Sequence, residues 1–366
     1  MSQLPIGLDV GTVALRLLQL GGSERDLRVV NAAKVVIPRE VREDEARRHE
    51  FIVAEVGRIL KERRFRTREV VMALAPRQLA VRNVRMPEVE PKDLASAVDW
   101  EVQNKFPFDT ATAVIQYLRA GAVRQGNEVL DEIIVFAAPR TEVETQIQLA
   151  GGVGLTLVSL DAEPCSVFRG AERFLQRRED EGVSSVVANI GAHTTVVIAR
   201  GRDIVFVKTI PIGGAVFNRA VSECLDLEPG EAEALRRRIA AREDAGEADV
   251  HDRAVRAVDD AIRPHLDDLA NEIGLCLRYH GVTFRGPRPE VLQVSGGEAH
   301  HPHIPTALGE RLGMAVHVSD PFRRVRTDHL DHILDRRGVR SEWATAFGLS
   351  LKGFRLAEGL STHDAA

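Results

Sequence analysis

The sequence predicts an α/β protein of two related lobes, the first interrupted by a small α+β module. Three observations predict it. Residues 6–20 run as apolar approach, polar residue, glycine turn and second apolar stretch, with Asp9 ending the first run and Gly11 and Thr12 in the turn. The same order returns over residues 185–199, where Asn189 stands in the place of Asp9 and Gly191 opens the turn. Between them, residues 76–150 carry a strand, helix, hairpin and helix of their own, entered through Pro76. A hairpin that recurs once per half-chain marks a duplicated unit, and two such units would face their turns across a common cleft.

The first hairpin suits an anion. Gly11 leaves no Cβ between backbone and ligand, so amides around Thr12 can converge on a concavity. Asp9 would repel a phosphate there unless a cation lay between them, so the arrangement implies metal-bound phosphate, with hydrated Mg2+ facing Asp9. Residues 27–37 read as a third strand closed by Pro38, 43–64 as a charged helix with Phe51, Val56, Ile59 and Leu60 inward, and 70–75 as a fourth strand. In the module, 79–86 is strand-like. Residues 92–106 form a helix with Leu94, Val98 and Val102 on one face, stopped by Pro107; 112–118 and 129–137 form a hairpin, and 140–150 a helix. Trp100 is assigned to the module's core. A small sheet with a free edge suits an extended peptide.

Residues 156–160 read as a strand and 162–177 as a helix entered through Asp161-Ala-Glu163-Pro164. After the second hairpin come a strand over 204–208 and Pro211-Ile-Gly213-Gly214. Helices over 216–225, 229–242 and 255–279 follow. The last has an apolar stripe from Val255 to Leu277 and an expected kink at Pro264, and 243–253 reads as an exposed loop. Residues 290–294 deliver the chain into Ser295-Gly296-Gly297-Glu298, bare backbone at a helix start that suits a flat ring or a phosphate. That helix is expected to continue through 308–312. A strand over 316–318, a closing helix over 343–351 and a polar tail complete the chain.

Composition excludes several functions. At 366 residues, 44% hydrophobic and 28% charged, the chain has the make-up of a globular protein of two or three domains. Its net charge of −5 and dispersed basic residues leave no nucleic-acid footprint. Cys165, Cys224 and Cys276 fall at no ligand spacing and read as buried thiols in a reducing compartment. No leader pattern or membrane span is evident, so a cytoplasmic location is expected. His300, His301 and His303 lack Cys or carboxylate partners at metal spacing and read as solvated or helix-entry residues. His193, in the second turn, is expected to point outwards. The arginine runs at 62–68 and 236–238 read as solvated helix faces.

Two phosphate-type hairpins and a Ser-Gly-Gly turn that could seat a nucleoside resemble the ligand set of the actin-like ATPase superfamily, whose lobes are ribonuclease H-like. From residue 6 to about 351 the chain further resembles the PilM family, cytoplasmic actin-like proteins of type IV pilus assembly. The likeness is carried by Arg82-Asn-Val-Arg-Met-Pro87, Asp99-Trp-Glu101, Phe106-Pro-Phe108, Pro211-Ile-Gly-Gly214, Glu231-Ala-Glu233, Leu277-Arg-Tyr279 and Phe347-Gly-Leu349. It implies a first lobe over 1–75, completed by about 151–185 and the closing helix 343–352. It also implies an inserted subdomain over 76–150, of a kind shared with the cell-division homologue FtsA. The second lobe would span 186–352, with 215–285 as its helical part, and 353–366 would be a flexible tail.

The resemblance implies ATP and Mg2+ as ligands. Asp9, Gly11 and Thr12 match the first phosphate motif, Gly191, Thr194 and Thr195 the second, and Gly296, Gly297 and Glu298 the adenosine motif. Glu233 and Arg236 match the helix that closes over the nucleoside, where Lys is commoner than Arg236. Glu163 matches the acidic residue that positions the attacking water, a role phosphoryl transfer requires. Asp9 and Asn189 would reach Mg2+ through water. Asn189 stands where Asp is usual and brings no charge, so weaker metal binding and slow or absent hydrolysis are expected. The implied partner is the N-terminal cytoplasmic segment of a PilN-type bitopic membrane protein, gripped between the 76–150 module and the first lobe. The protein would then lie at the inner membrane through its partner and not by insertion, with self-association left open. The competing readings are a small-molecule kinase of the superfamily, which the module and Asn189 oppose, and an FtsA-like filament protein, whose membrane helix the polar end does not supply. A third is the cytoplasmic part of the secretion protein GspL, which continues into a membrane span.

Overall fold

The computed structural model describes residues 3–175, 178–244, 253–301, 303–327 and 340–357. Its first lobe opens with β1 (Gln3–Val10), β2 (Ala14–Ser23) and β3 (Asp26–Val36), an antiparallel meander, followed by α1 (Arg39–Arg42), α2 (Glu45–Glu62) and β4 (Glu69–Leu74). The inserted module holds β5 (Ala80–Pro87), α3 (Pro91–Glu101), β6 (Ala113–Gln125), β7 (Glu128–Pro139) and α4 (Arg140–Gly152); β8 (Thr156–Ala162) and α5 (Glu163–Glu172) then return to the first lobe. The second lobe comprises β9 (Ser184–Ile190), β10 (Thr194–Arg200), β11 (Asp203–Ile210), α6 (Gly214–Leu225), α7 (Pro229–Asp244), α8 (Arg253–Phe284), β12 (Val291–Ser295), α9 (His303–Leu312) and β13 (Ala315–Val318). The chain closes with α10 (Ala344–Ala357).

The duplication is visible in the strand orders, β3-β2-β1-β4-β8 in one sheet and β11-β10-β9-β12-β13 in the other. In both, the meander is antiparallel and the last two strands join in parallel. Parallel strands need both faces covered, and alternation along β2 supplies two apolar faces. Leu15 and Leu17 pack with Ile52, Val56 and Ile59 of α2, while Leu18 and Leu20 pack with Phe347 and Leu351 of α10. Leu149 and Ala150 of α4 join the α2 side of this lobe. The module's own sheet, ordered β5-β7-β6, buries Ile133, Val135 and Ala137 against Val98 and Val102.

Where α5 and α10 cross, the backbones touch. A Cβ on Gly348 would overlap the carbonyl oxygen of Ser166, so glycine is what lets the helices meet. Beyond the crossing lies a buried charge cluster in which Asp161 takes Arg169 at 2.7 Å and Lys352 at 3.2 Å. The module is locked to the second lobe by Arg85, which bonds Glu132 on β7 (2.7 Å) and Tyr279 (3.2 Å) and Thr283 (3.1 Å) on α8.

Several elements differ from the sequence reading. The 43–64 helix is the single helix α2, which Asp44 caps by accepting from the Arg47 amide at 3.0 Å; the short α1 before it has no counterpart in the sequence reading. The module helix ends at Glu101, well before Pro107. Asn104 takes a left-handed φ of +65°, turning the chain so that Phe106 packs in the core and stacks on Phe108. Trp100 is 72% exposed and not in the core. Val98 and Val102 claim the inward face, and two residues along a helix turns a side chain to the far side. Residues 162–177 are not one helix, since the Phe174 and Leu175 amides turn back onto Ala171 and Glu172. The turn at Gly297–His300 is a 3-10 segment, and α9 starts afresh at His303. Helix α8 runs unbroken through Pro264, and α10 extends past Phe354 to Ala357. Of the loop expected over 243–253, residues 245–252 lie outside the described residues, as does the tail beyond 357. Cys224 is exposed, Cys165 half-buried and Cys276 buried. The 62–68 arginines lie mostly on the loop after α2, Arg236 is buried, and His301 is buried as well.

Candidate functional site

The two hairpin turns, the segment after β12 and the start of α5 meet between the lobes. In the first turn the Gly11 amide donates to the Ala14 carbonyl at 3.1 Å, and Arg48 of α2 donates to the Gly11 carbonyl at 2.9 Å. Thr12 is left exposed at the tip. Asp9 faces Arg16 across the hairpin, and the guanidinium reaches it at 3.3 Å while holding Glu342 at 2.7 Å. Lys34 pairs with the other oxygen of Glu342. Burial raises the Asp9 pKa, and the neighbouring Arg16 opposes that rise.

The second turn is braced by the glycines that follow β11. The Gly191 amide donates to the His193 carbonyl at 2.9 Å, and the Gly191 carbonyl accepts from the Gly214 amide at 2.8 Å. A Cβ on Gly213 would lie 2.6 Å from the Gly191 oxygen. Thr194 donates its hydroxyl to the Ile212 carbonyl at 2.7 Å, so it supports this bracing segment. His193 is exposed. The third segment fits edge-on against the hairpin. Gly296 has φ +92°, and a Cβ there would overlap the Ile190 carbonyl oxygen and lie 2.9 Å from Asn189 Oδ1. Ser341 clamps Gly296 with two bonds, one through its hydroxyl (2.9 Å) and one through its carbonyl (3.1 Å).

At the centre sits Asn189. Its Nδ2 donates to Glu163 Oε1, and its Oδ1 accepts from the Ser295 hydroxyl at 3.1 Å. Burial pushes the Glu163 carboxyl up to about 7; hydrogen bonds from Asn189 and Thr195 pull it down, and the charge of Asp9 pushes it up again. Glu163 Oε2 is buried with no partner. A buried carboxylate oxygen without a donor is costly unless something completes it. On the rim, Arg236 bonds Asn218 (2.7 Å) and Glu298 and lies over the Phe217 ring, 5.3 Å from its centroid. Glu233 turns to the first lobe, taking Arg42 at 2.9 Å on both oxygens and Arg39 at 3.6 Å, with Arg237 at 2.7 Å.

The structure therefore gathers Asp9, Gly11, Glu163, Asn189, Gly191, Thr195, Gly296, Glu298 and Arg236 around one cleft. Thr12 and Gly297 are open at its edge, and Glu233 is engaged in an ion pair between lobes. Sequence reading missed Arg16, Arg42, Arg48, Ser341 and Glu342. Arg16 had a signal, as the one charged residue in the apolar stretch 13–22. Ser341 and Glu342 had none, because their partners lie 45 and 326 positions away.

The donor set fits a nucleotide. Two turns present backbone without side chains, and Gly296 offers a bare surface beside a rim of Arg236 and Glu298. For Mg2+ the fit is partial. Asp9 offers a carboxylate with a cation already at its side, whereas Asn189 spends its amide on Glu163 and one acceptor site on Ser295.

A family model described as type IV pilus assembly protein PilM matches residues 7–354. No curated protein sequence matches the chain. A solved PilM-PilN type IV pilus biogenesis complex contains a chain 26% identical to this one, with TM-score 0.77, covering 95% of this chain and 98% of that one. The ethanolamine utilization protein EutJ from Carboxydothermus hydrogenoformans superposes with TM-score 0.56 at 14% identity, covering 96% and 90% of the two chains. MreB5 of Spiroplasma citri, bound to ADP, does so with TM-score 0.53 at 10% identity, covering 98% of each. The last two likenesses speak to fold alone, and with the two matched sheets they establish the actin-like, ribonuclease H-like architecture.

Proposed function

The chain belongs to the family of the type IV pilus assembly protein PilM, and from that membership we propose that it is an ATP-binding scaffold that docks the N-terminal segment of a PilN-type membrane protein. The observation that carries the reading is a groove of 620 Å3 whose walls come from three parts of the molecule: the linker at Pro76–Leu79, β5 with Phe108 of the module, and Phe206 to Thr209 of β11. Apolar Leu79, Val81, Phe108 and Phe206 beside charged Arg77 and Lys208 suit an extended peptide with alternating side chains. Because one wall belongs to the second lobe, a change in lobe angle changes the groove, and a peptide that prefers one angle shifts the cleft in return.

In the cleft, amides of the Gly11 and Gly191 turns would face the phosphates, with Arg16 and Arg48 supplying positive charge behind the first turn. The Gly296 surface, Glu298, Arg236 and Glu233 would seat the nucleoside. Mg2+, where present, would be reached from Asp9 and Asn189 through water and would neutralise phosphate charge. Glu163 would orient a water, and its tie to the uncharged Asn189 supports slow or absent hydrolysis. No helix among the described residues is long and apolar enough to cross a membrane, so the reading places the protein at the inner membrane through its partner.

Calorimetric titration with Mg-ATP, then with a synthetic peptide of the candidate partner's N-terminal segment, tests this. Binding of both, with peptide affinity dependent on nucleotide, is expected. Silence in both titrations would overturn it.

A further inference from the structure

The last turn of α2 and the loop from it to β4 form a fixed cationic surface. Lys61, Arg63, Arg64, Arg66 and Arg68 fall within eight positions, four of them exposed and Arg63 half-buried. Among the described residues none of the five side chains has an ion-pair partner. That is unusual in a chain of net charge −5, where most other arginines of the first lobe are committed: Arg16 to Asp9 and Glu342, Arg42 to Glu233, Arg58 to Glu55 and Glu62. The one carboxylate within 61–68, Glu62, belongs to Arg58, and Glu69, which opens β4, follows Arg68.

The backbone that carries these charges is held in place. Phe65 packs against the first-lobe core, the Arg66 amide donates to Gln19 Oε1 at 2.8 Å, and the Arg68 carbonyl accepts from the Thr156 amide at 2.8 Å. With alternate residues anchored inward, the cations are spread outward at a fixed spacing. On the adjoining edge strand β8, Val158 is also exposed. Folding does not need these charges where they are, since four of the five face water and none has an ion-pair partner among the described residues.

We infer that the 61–68 segment is a docking surface for the anionic headgroups of a lipid bilayer, a direct contact with the membrane additional to any anchored partner. Charge complementarity selects an anionic occupant, and the breadth of a shallow patch with an apolar edge suits a headgroup layer better than a single phosphate. The choice of a bilayer over other polyanions rests on the membrane-assembly reading above. Nothing in this contact requires insertion, and the attraction weakens steeply with salt.

The test is co-sedimentation of the full chain with phosphatidylglycerol-containing vesicles and with pure phosphatidylcholine vesicles, at low and at physiological salt. Binding to the anionic vesicles alone is expected. The double variant Arg64→Gln/Arg66→Gln should bind them about 25-fold more weakly, because each exposed cation near such a surface contributes about fivefold. Its melting temperature and Mg-ATP titration should match the parent chain. No binding to anionic vesicles, or binding undiminished in the double variant, would overturn the inference. So would tighter, equally variant-sensitive binding to a single-stranded oligonucleotide. A peptide titration on the parent chain keeps the two readings apart: intact peptide binding with no binding to anionic vesicles refutes only the lipid contact.

Discussion

Replacing Glu163 by glutamine tests the central chemistry of the cleft through stability. The carboxyl ionises near 4.5 in an unfolded chain and at about 7 in the fold, where burial dominates. The folded state thus holds the proton more tightly, and whatever stability that provides is fully present below about pH 4.5 and lost as pH rises through about 7. Worked through the linkage relation, the loss is under about 1 kcal/mol at pH 5 and about 3 kcal/mol at pH 8. Glu163→Gln keeps an acceptor for Asn189 Nδ2 and cannot ionise. It also buries an unpaired amide where Oε2 stood, but that cost does not vary with pH. The quantity to measure is therefore the change in unfolding free energy between pH 5 and pH 8, by urea titration of both proteins. The parent should lose about 2 to 3 kcal/mol more than the variant over that interval. Parallel curves would show that Glu163 titrates as it does in water, and the picture of a dry carboxyl tied to Asn189 would fail.

Asn189→Asp places a second carboxylate against Glu163; at an effective dielectric of about 20 and about 4 Å the repulsion is on the order of 4 kcal/mol. The variant should melt earlier than the parent without metal and gain more from added Mg2+, and equal Mg2+ shifts in a melting assay would count against the reading. Gly348→Ala drives a Cβ into the Ser166 carbonyl and should cost more than about 3 kcal/mol or abolish soluble yield, whereas Gly297→Ala, with open space around it, should leave melting unchanged.

The two hairpins, their turns and the strand before Gly296 were legible because each is local: a period-2 apolar run, a glycine and a second run. The repeat then placed Asn189 opposite Asp9 without any knowledge of the sheet. What escaped the sequence was set by tertiary partners. Glu342 reaches Arg16 over 326 positions, and Arg42 reaches Glu233 over 191. No window of sequence contains such a pair. Trp100 was misplaced for a simpler reason: hydrophobicity assigned it inward, while the spacing of Val98 and Val102 had already used the inward face. The early end of α3 followed from Asn104, a residue tolerant of left-handed backbone that was outweighed by the more conspicuous Pro107.

The contact between Ser166 and Gly348 makes a fulcrum. On α5, Glu163 lies three residues from it on the cleft side and Glu172 six residues away on the other, arms of about 4.5 and about 9 Å. If the lobes turn about this point, a shift at Glu163 is doubled at Glu172, where Arg355 of α10 and Arg202 of the second lobe gather on one carboxylate. A small shift in the cleft would thereby be geared up at the far end of α5, in the separation of two arginines from a single glutamate.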